Sequence, residues 1–464
     1  QDASTGQEFT RDGTFTLNAN HQLVTSTGSY VQGYAADSTG TIIPGQLQNI
    51  TIPLGAATIS KATSTAALTG NLASDGVVAS GESVLNTQDL TITAGGGTPV
   101  AATPLDQLVS ASTGTAAFTD GQVLTFTPQR NDSNLTPQTF TVSPTSTVAD
   151  LQTFFNNSLG IDTSVAGAGT QIVAGTAPNS VDLQIVGNSG ADNALTIPTG
   201  AFSDTAGNTP LTFTAAATSN PTGESTSTSM TLYNSLGDPV TVNLTTVLQT
   251  KSDAGTTWKF YATSPNNDDA SNPGGTLVGT GTLTFNTAGQ LQGVSGNDLT
   301  IHQAGTGAQA ALPVTLNFAG VSALASDSSH TGSSISMSSQ DGIQIGTLSS
   351  FSVGGDGTIT GSYDNGQTKT LGQVALATFN NPNGLNNEGG NNYAAGAASG
   401  VAVIGAPTRL GSGSIEAGSL EQSNVDLSTE FTNMITASTG FSASSRVIST
   451  AEQMLTDLLN SQQG

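Results

Sequence analysis

Residues Asn424 to Asn460 read NVDLSTEFTNMITASTGFSASSRVISTAEQMLTDLLN, the one long helical pattern in a chain that otherwise reads as strands and turns. Leu427, Phe431, Met434, Phe441, Ile448, Leu455 and Leu459 fall on one seam. Four of them, Met434, Phe441, Ile448 and Leu455, keep a seven-residue step, the period of a helix packed lengthwise against other helices. Ser438, Ser445 and Glu452 interrupt the seam with polar side chains. A second row, Val447, Ala451, Met454 and Leu458, widens the stripe towards the end, as in a bundle. Asp426 and Ser428 offer N-cap chemistry, and Glu430 suits the positive end of the helix dipole. A helix over 427–460 would be roughly 50 Å long. No second helix of that kind is present to cover it. The pattern therefore predicts a helix that packs against other chains; the competing expectation is a terminal helix folded back on its own β domain.

Outward from that tail, the chain has 464 residues, enough for several domains. Its net charge is −24, with only eight Lys and Arg. A nucleic-acid partner would require a basic stripe, and none exists. Anionic membrane surfaces are disfavoured for the same reason, and no apolar run is long enough to span a bilayer. Charged residues make up 9% of the chain, so its surface must be mostly Ser, Thr, Asn, Gln and Gly, a profile that suits extracellular β proteins. The absence of cysteine removes disulfides, zinc–thiolate sites and thiol nucleophiles together. No cleavable signal peptide is seen, and the chain begins with Gln1 rather than Met, so a preceding piece is expected.

Residues 1–57 read as a β meander. Phe9, Phe15 and Leu17 flank Arg11-Asp12-Gly13, a hairpin signal. A second turn, Asn18-Ala19-Asn20, leads to Leu23-Val24, and Pro53 ends the segment. Ala66, Leu68 and Leu72 alternate as a strand would. Residues 93–221 read as an insertion opening at Gly95-Gly96-Gly97, with strands at 123–126, 139–142 and 181–185. A short helix from Thr147 to Leu159 buries Val148, Leu151, Phe154, Phe155 and Leu159, with Thr147 and Asp150 in capping-box spacing. Residues 227–250 read as a hairpin turning at Asn234 to Pro239, and Trp258, Phe260 and Tyr261 follow on the next strand.

Several strings carry a family resemblance. Glu8 to Tyr34, EFTRDGTFTLNANHQLVTSTGSYVQGY, resembles an (F/Y)-x-R-x-G-x-F-x-L run followed by L-V-x-x-x-G-x-x-(L/V)-x-G, with Arg11 and Gly13 in place. Tyr233, Asn234, Ser235 and Gly237, then Trp258 and Tyr261, match a middle-domain pattern in which Asn234 replaces an Asp of similar turn chemistry. Gly361, Tyr363, Gly372 and Gln373 stand in D-G-x-(I/V)-x-G-x-Y-x-N-G and L-G-Q motifs. Gly418, Leu420, Glu421, Ser423, Asn424, Val425, Asp426 and Leu427 complete the entry to the terminal helix. These strings resemble the bacterial flagellar axial proteins, the rod and hook family, and cover both ends and the middle of the chain but not 93–221.

The resemblance implies a mainly β, multidomain chain with discontinuous β domains, a small inserted α+β outer domain and a long C-terminal amphipathic helix. The expected division is an inner β domain at 1–57 and 336–425, a middle domain at 58–92 and 222–335, an outer domain at 93–221, and the assembly helix at 426–464. It also implies an N-terminal helix that pairs with the C-terminal one and precedes Gln1. The implied function is structural: a homopolymer forming a curved, flexible tube, a universal joint passing torque from rod to filament. Such a subunit is extracellular, exported without a cleavable signal, and meets rod, hook-cap and hook–filament junction proteins. A distal-rod subunit, or a surface adhesin or carbohydrate-binding protein built on 93–221, are the alternatives.

No catalytic, cofactor or metal residues are assigned, and an enzyme is not expected. His21, His302 and His330 read as isolated loop histidines. No nucleophile elbow occurs, and Gly95-Gly96-Gly97 lacks the Lys-Ser/Thr of a phosphate loop. The Asn/Asp-rich stretches 266–269 and 380–392 read as solvated turns, with calcium the less favoured reading.

Overall fold

The computed structural model describes residues 6–37, 39–93, 97–269, 272, 274–326, 332–420 and 425–461. Gly95, Gly96, His330, Glu421, Ser423 and Asn424 lie outside them. The described residues are mainly β, with strands of two to fourteen residues in several sheets and one long helix at the C-terminal end. Its contacts form two compact units: unit 1 holds 1–54, 350–362 and 368–464, and unit 2 holds 55–349 and 363–367.

In unit 1, Gln32–Ala35 lies between Gln48–Asn49 and Thr368–Val374, and the last of these pairs with Thr358–Tyr363. Leu23–Val24 pairs with Thr16–Leu17 across a turn that Asn18 builds, its side-chain oxygen accepting from the N–H groups of Asn20 and Gln22 at 2.9 Å each. His21 closes this turn at φ 58°, a left-handed conformation. The hairpin expected around Asp12-Gly13 does not form. Gly13 is absent from the positive-φ residues that two-residue hairpin turns demand. Asp12 instead caps its own loop by accepting from Thr14 N–H at 2.9 Å. Phe9–Thr10 pairs with Asn392–Ala394, and Phe9 meets Phe379 edge-on at 4.9 Å.

Unit 2 holds two hydrophobic clusters. In the first, a five-stranded antiparallel sheet over Ser225–Tyr233, Pro239–Ser252, Gly255–Thr263, Leu277–Phe285 and Leu291–Ser295 packs on a four-stranded sheet. The hairpin turn at 234–238 is made by Asn234, whose side-chain oxygen accepts from Leu236 and Asp238 N–H at 2.9 and 3.0 Å. Alternation places Met230, Leu232, Val240, Val242 and Leu244 inward with Trp258 and Phe260, all buried. In the four-stranded sheet, Thr65–Asn71 pairs in parallel with Ala311–Ser322 and antiparallel with Ser334–Gln340. Parallel strands require a long crossover, and here the whole second cluster is contained within it.

That second cluster is built on Glu82–Thr87, Leu90–Ile92 and Val181–Ser189, with the helix α1 (Val148–Ser158) against them. Thr147 caps α1, and Asp150 reaches back to accept the Thr147 N–H at 2.8 Å. Phe126, Phe154, Phe155, Phe202 and Phe213 form one ring cluster. Gly81 bridges Thr222, so the chain enters and leaves this part of the unit side by side.

The terminal helix, α2 (Leu427–Ser461), follows. No helix of the described residues is long and apolar enough to cross a membrane.

Candidate assembly surface

Asp426 begins α2. Its Oδ1 accepts from Ser428 N–H at 2.8 Å and Thr429 N–H at 3.4 Å, satisfying two of the four donors that a helix start leaves free. Those donors hold its carboxyl below the usual carboxylate range. Glu430 occupies the first turn, where the helix dipole favours a negative charge.

Once started, the helix runs 35 residues without burying one of them. The seam side chains Leu427, Phe431, Met434, Phe441, Ile448, Leu455 and Leu459 are exposed, from 56% at Phe431 to 77% at Phe441. The second row is equally open at Val447, Met454 and Leu458. Soluble monomers rarely leave an apolar patch of this extent uncovered. No described residue of the chain lies over it, so the folded-back expectation is not met. The opposite side differs in chemistry. Thr432, Thr436, Thr439, Thr450 and Thr456 donate their hydroxyls to backbone carbonyls one turn earlier, at 2.7–2.8 Å.

The remaining motif residues are placed by strand pairing. Arg11 lies over the Tyr393 ring, 5.7 Å from its centre, because Phe9 and Tyr393 are register partners. This brings the two ends of unit 1 together around a groove of about 530 Å³ lined by Phe9, Arg11, Tyr30, Phe351, Ile404 and Ile415. Gly13 sits in the open, with nothing near the position of a side chain. Gly372 faces the backbone oxygen of Tyr34, which would stand 3.0 Å from an added Cβ, and Gln373 donates to the Asp356 carbonyl at 2.9 Å. Gly361 is in the strand Thr358–Tyr363, and Tyr363 at its end is buried. Arg11 and Asp426 thus hold the geometry of unit 1 and the helix start; Gly361, Tyr363, Gly372 and Gln373 belong to sheet packing.

Two features were missed in the sequence. The stretch 380–392, read as a solvated turn, contains the strand Asn386–Gly389, which pairs with Asn392–Ala394. Its Asn and Gly content hid a hairpin whose other neighbour, Phe9, lies at the far end of the chain. His302 is not isolated from acidic groups: its Nδ1 stands 3.7 Å from Asp269 Oδ2. Among the described residues, no three His, Cys, Asp or Glu gather where they could hold a metal ion.

Comparison with known proteins gives matches to three family models. Residues 1–78 match the flagellar hook protein FlgE/F/G D1 domain, 199–343 the flagellar basal body protein FlaE D2 domain, and 416–461 the flagellar basal body rod FlgEFG protein C-terminal segment. The flagellar hook protein FlgE of Escherichia coli (strain K12) is 37% identical over 206 residues, 44% of this chain and 48% of that protein. That of Salmonella typhimurium (strain LT2) is 36% identical over 234 residues, 50% and 54% of the two chains. That of Caulobacter vibrioides is 44% identical over 120 residues, 26% and 20% of the two chains. The chain thus spans about half the length of the first two of these curated relatives. Among solved structures, Helicobacter pylori flagellar hook protein FlgE2 aligns with a TM-score of 0.36 at 16% identity, over 86% of this chain and 88% of that one.

Proposed function

The chain belongs to the bacterial flagellar rod and hook protein family, and from that premise we propose that it is a structural subunit of the flagellar hook. The subunit polymerises with copies of itself into a curved, flexible tube that passes torque from rod to filament. One observation carries this reading: α2 exposes an apolar heptad seam along its whole length, inside the segment that matches the family's C-terminal model. An apolar stripe of that length loses its contact with water only when further helices cover it, and a seven-residue step suits helices packed lengthwise in an assembly. The seam residues Leu427, Phe431, Met434, Phe441, Ile448, Leu455 and Leu459 are the grip between subunits. Arg11, Gly13, Gly361, Tyr363, Gly372, Gln373, Asn424 and Asp426 shape the parts that present it.

The domain scheme follows the same reading, with inner parts at 1–57 and 336–425, middle parts at 58–92 and 222–335, an outer insertion at 93–221 and the assembly helix at 426–464; the strands Glu82–Thr87 and Leu90–Ile92, however, pack in the insertion's cluster, which moves its start to about Gly81. The polymer lies outside the cell as part of the flagellum. Its expected neighbours are rod, hook-cap and hook–filament junction proteins. The relatives reported above carry the hook protein's name, which supports the hook reading over the adhesin alternative. The test is deletion of 427–460 in the intact gene product, followed by electron microscopy after salt-induced polymerisation. Loss of tubes with intact β circular dichroism is expected. Tubes of normal length and curvature would overturn the reading.

A further inference from the structure

Within unit 2 the two hydrophobic clusters meet at a joint that is polar, charged and buried. It forms at the C-terminal end of α1, where the last helical carbonyls have no partner inside the helix. Donors from outside the helix supply them. Thr276 gives both its N–H, at 3.1 Å, and its hydroxyl, at 3.0 Å, to the Asn157 carbonyl. Arg130 gives a guanidinium N–H to the Leu159 carbonyl. Its cation sits where the helix dipole is negative, and its Nε, buried, has no hydrogen-bond partner.

Beside them, Lys259 Nζ meets Asp162 Oδ2 at 2.7 Å, with the two side chains 14% and 6% exposed. The same ammonium lies 5.2 Å from the centre of the buried Tyr261 ring. Burial opposes the charge on Asp162, but the hydrogen bonds from Lys259 and Ser164 outweigh it and keep the carboxyl below its usual range. The backbone admits this closeness at two glycines. Gly160, at φ 57°, would place a Cβ 2.8 Å from Thr263 Cγ2; Gly190, at φ 99°, would place one 2.8 Å from Val247.

We propose that the Lys259–Asp162 pair is a latch that fixes the two halves of unit 2 in one orientation, making 55–349 a single stiff arm. Apolar contact alone is non-directional and permits sliding. A buried ion pair does not: displacing it by a few ångströms leaves a charge unpaired away from water. Burial also removes the pair from screening, so the latch holds at high ionic strength.

The test uses the full chain, whose lack of cysteine allows two introduced thiols to be spin-labelled cleanly. Asp120→Cys and Asp253→Cys, both exposed, mark the two halves. Double electron–electron resonance on this parent should give one narrow distance distribution, unchanged between low and 1 M salt. Lys259→Met keeps the stem against Tyr261 but removes the charge, and should at least double the width with far-UV circular dichroism unchanged. If that variant fails to fold, Lys259→Met with Asp162→Asn removes both charges of the pair and is read instead. A narrow distribution in the folded variant, or a broad one in the parent, overturns the latch.

Discussion

Phe441→Asp separates assembly from folding. Phe441 is 77% exposed, the most open residue of the seam. Full burial of such a side chain contributes about 1.5–3 kcal/mol, so covering it in a polymer gains about 1–2 kcal/mol. Aspartate forfeits that gain and adds the penalty of a carboxylate in an apolar contact, which brings the loss to roughly 3–5 kcal/mol per subunit. At about 1.4 kcal/mol per decade, the critical concentration for polymerisation should rise by a factor on the order of 10²–10³. Sedimentation of polymer across a protein dilution series measures it. No described residue of the chain packs over α2, so the thermal transition of the β units should stay within about 1 °C of the parent. A critical concentration within about threefold of the parent would refute the reasoning. So would a collapsed β transition, which would mean that the helix packs within its own chain.

Other outcomes follow from unit 2. Asp182 is pushed up to about 7, by burial first and then by Asp89 beside it. The folded chain therefore keeps a proton that the unfolded chain releases near pH 4, and stability falls as pH rises from about 4 to 7. Asp182→Asn should melt higher than the parent at pH 8 and converge with it near pH 4; a constant gap across a pH series of melts would exclude this linkage. Phe126→Ala removes a fully buried ring that touches Phe154, Phe155, Phe202 and Phe213. It should cost about 3–5 kcal/mol by urea denaturation, with the loss confined to the cluster around α1. Gly160→Ala forces a side chain into the left-handed region against Thr263 and Thr276; about 1–3 kcal/mol should be lost, and a neutral result would show that the joint has slack.

What the sequence made legible was local. The seven-residue step of Met434, Phe441, Ile448 and Leu455 marked α2, and the capping chemistry of Asp426 marked its start to within a residue. Thr147 with Asp150 announced α1, and Asn234 announced the turn between Ser225–Tyr233 and Pro239–Ser252. Each of these signals acts between residues a few positions apart. Pairings across hundreds of residues left no such trace. The parallel match of Ala66 with Leu316, and that of Phe9 with Tyr393, depend on which edges the finished sheets leave open. Asp12-Gly13 misled because the dipeptide permits a hairpin without requiring one, and Phe9 had a better partner at the far end of the chain. The Lys259–Asp162 pair was invisible for a related reason: neither residue stands in a motif, and only the meeting of two cores buries them together.

The threonines of α2 return their hydroxyls to their own backbone. A hydroxyl spent this way turns its methyl group outward and keeps only an acceptor lone pair for a neighbour. Arg446, Gln453 and Asp457 stand on the same flank and supply its polar chemistry. Commitment rests with the greasy stripe on the other side, so one rod of 35 residues carries an adhesive edge and a water-facing one.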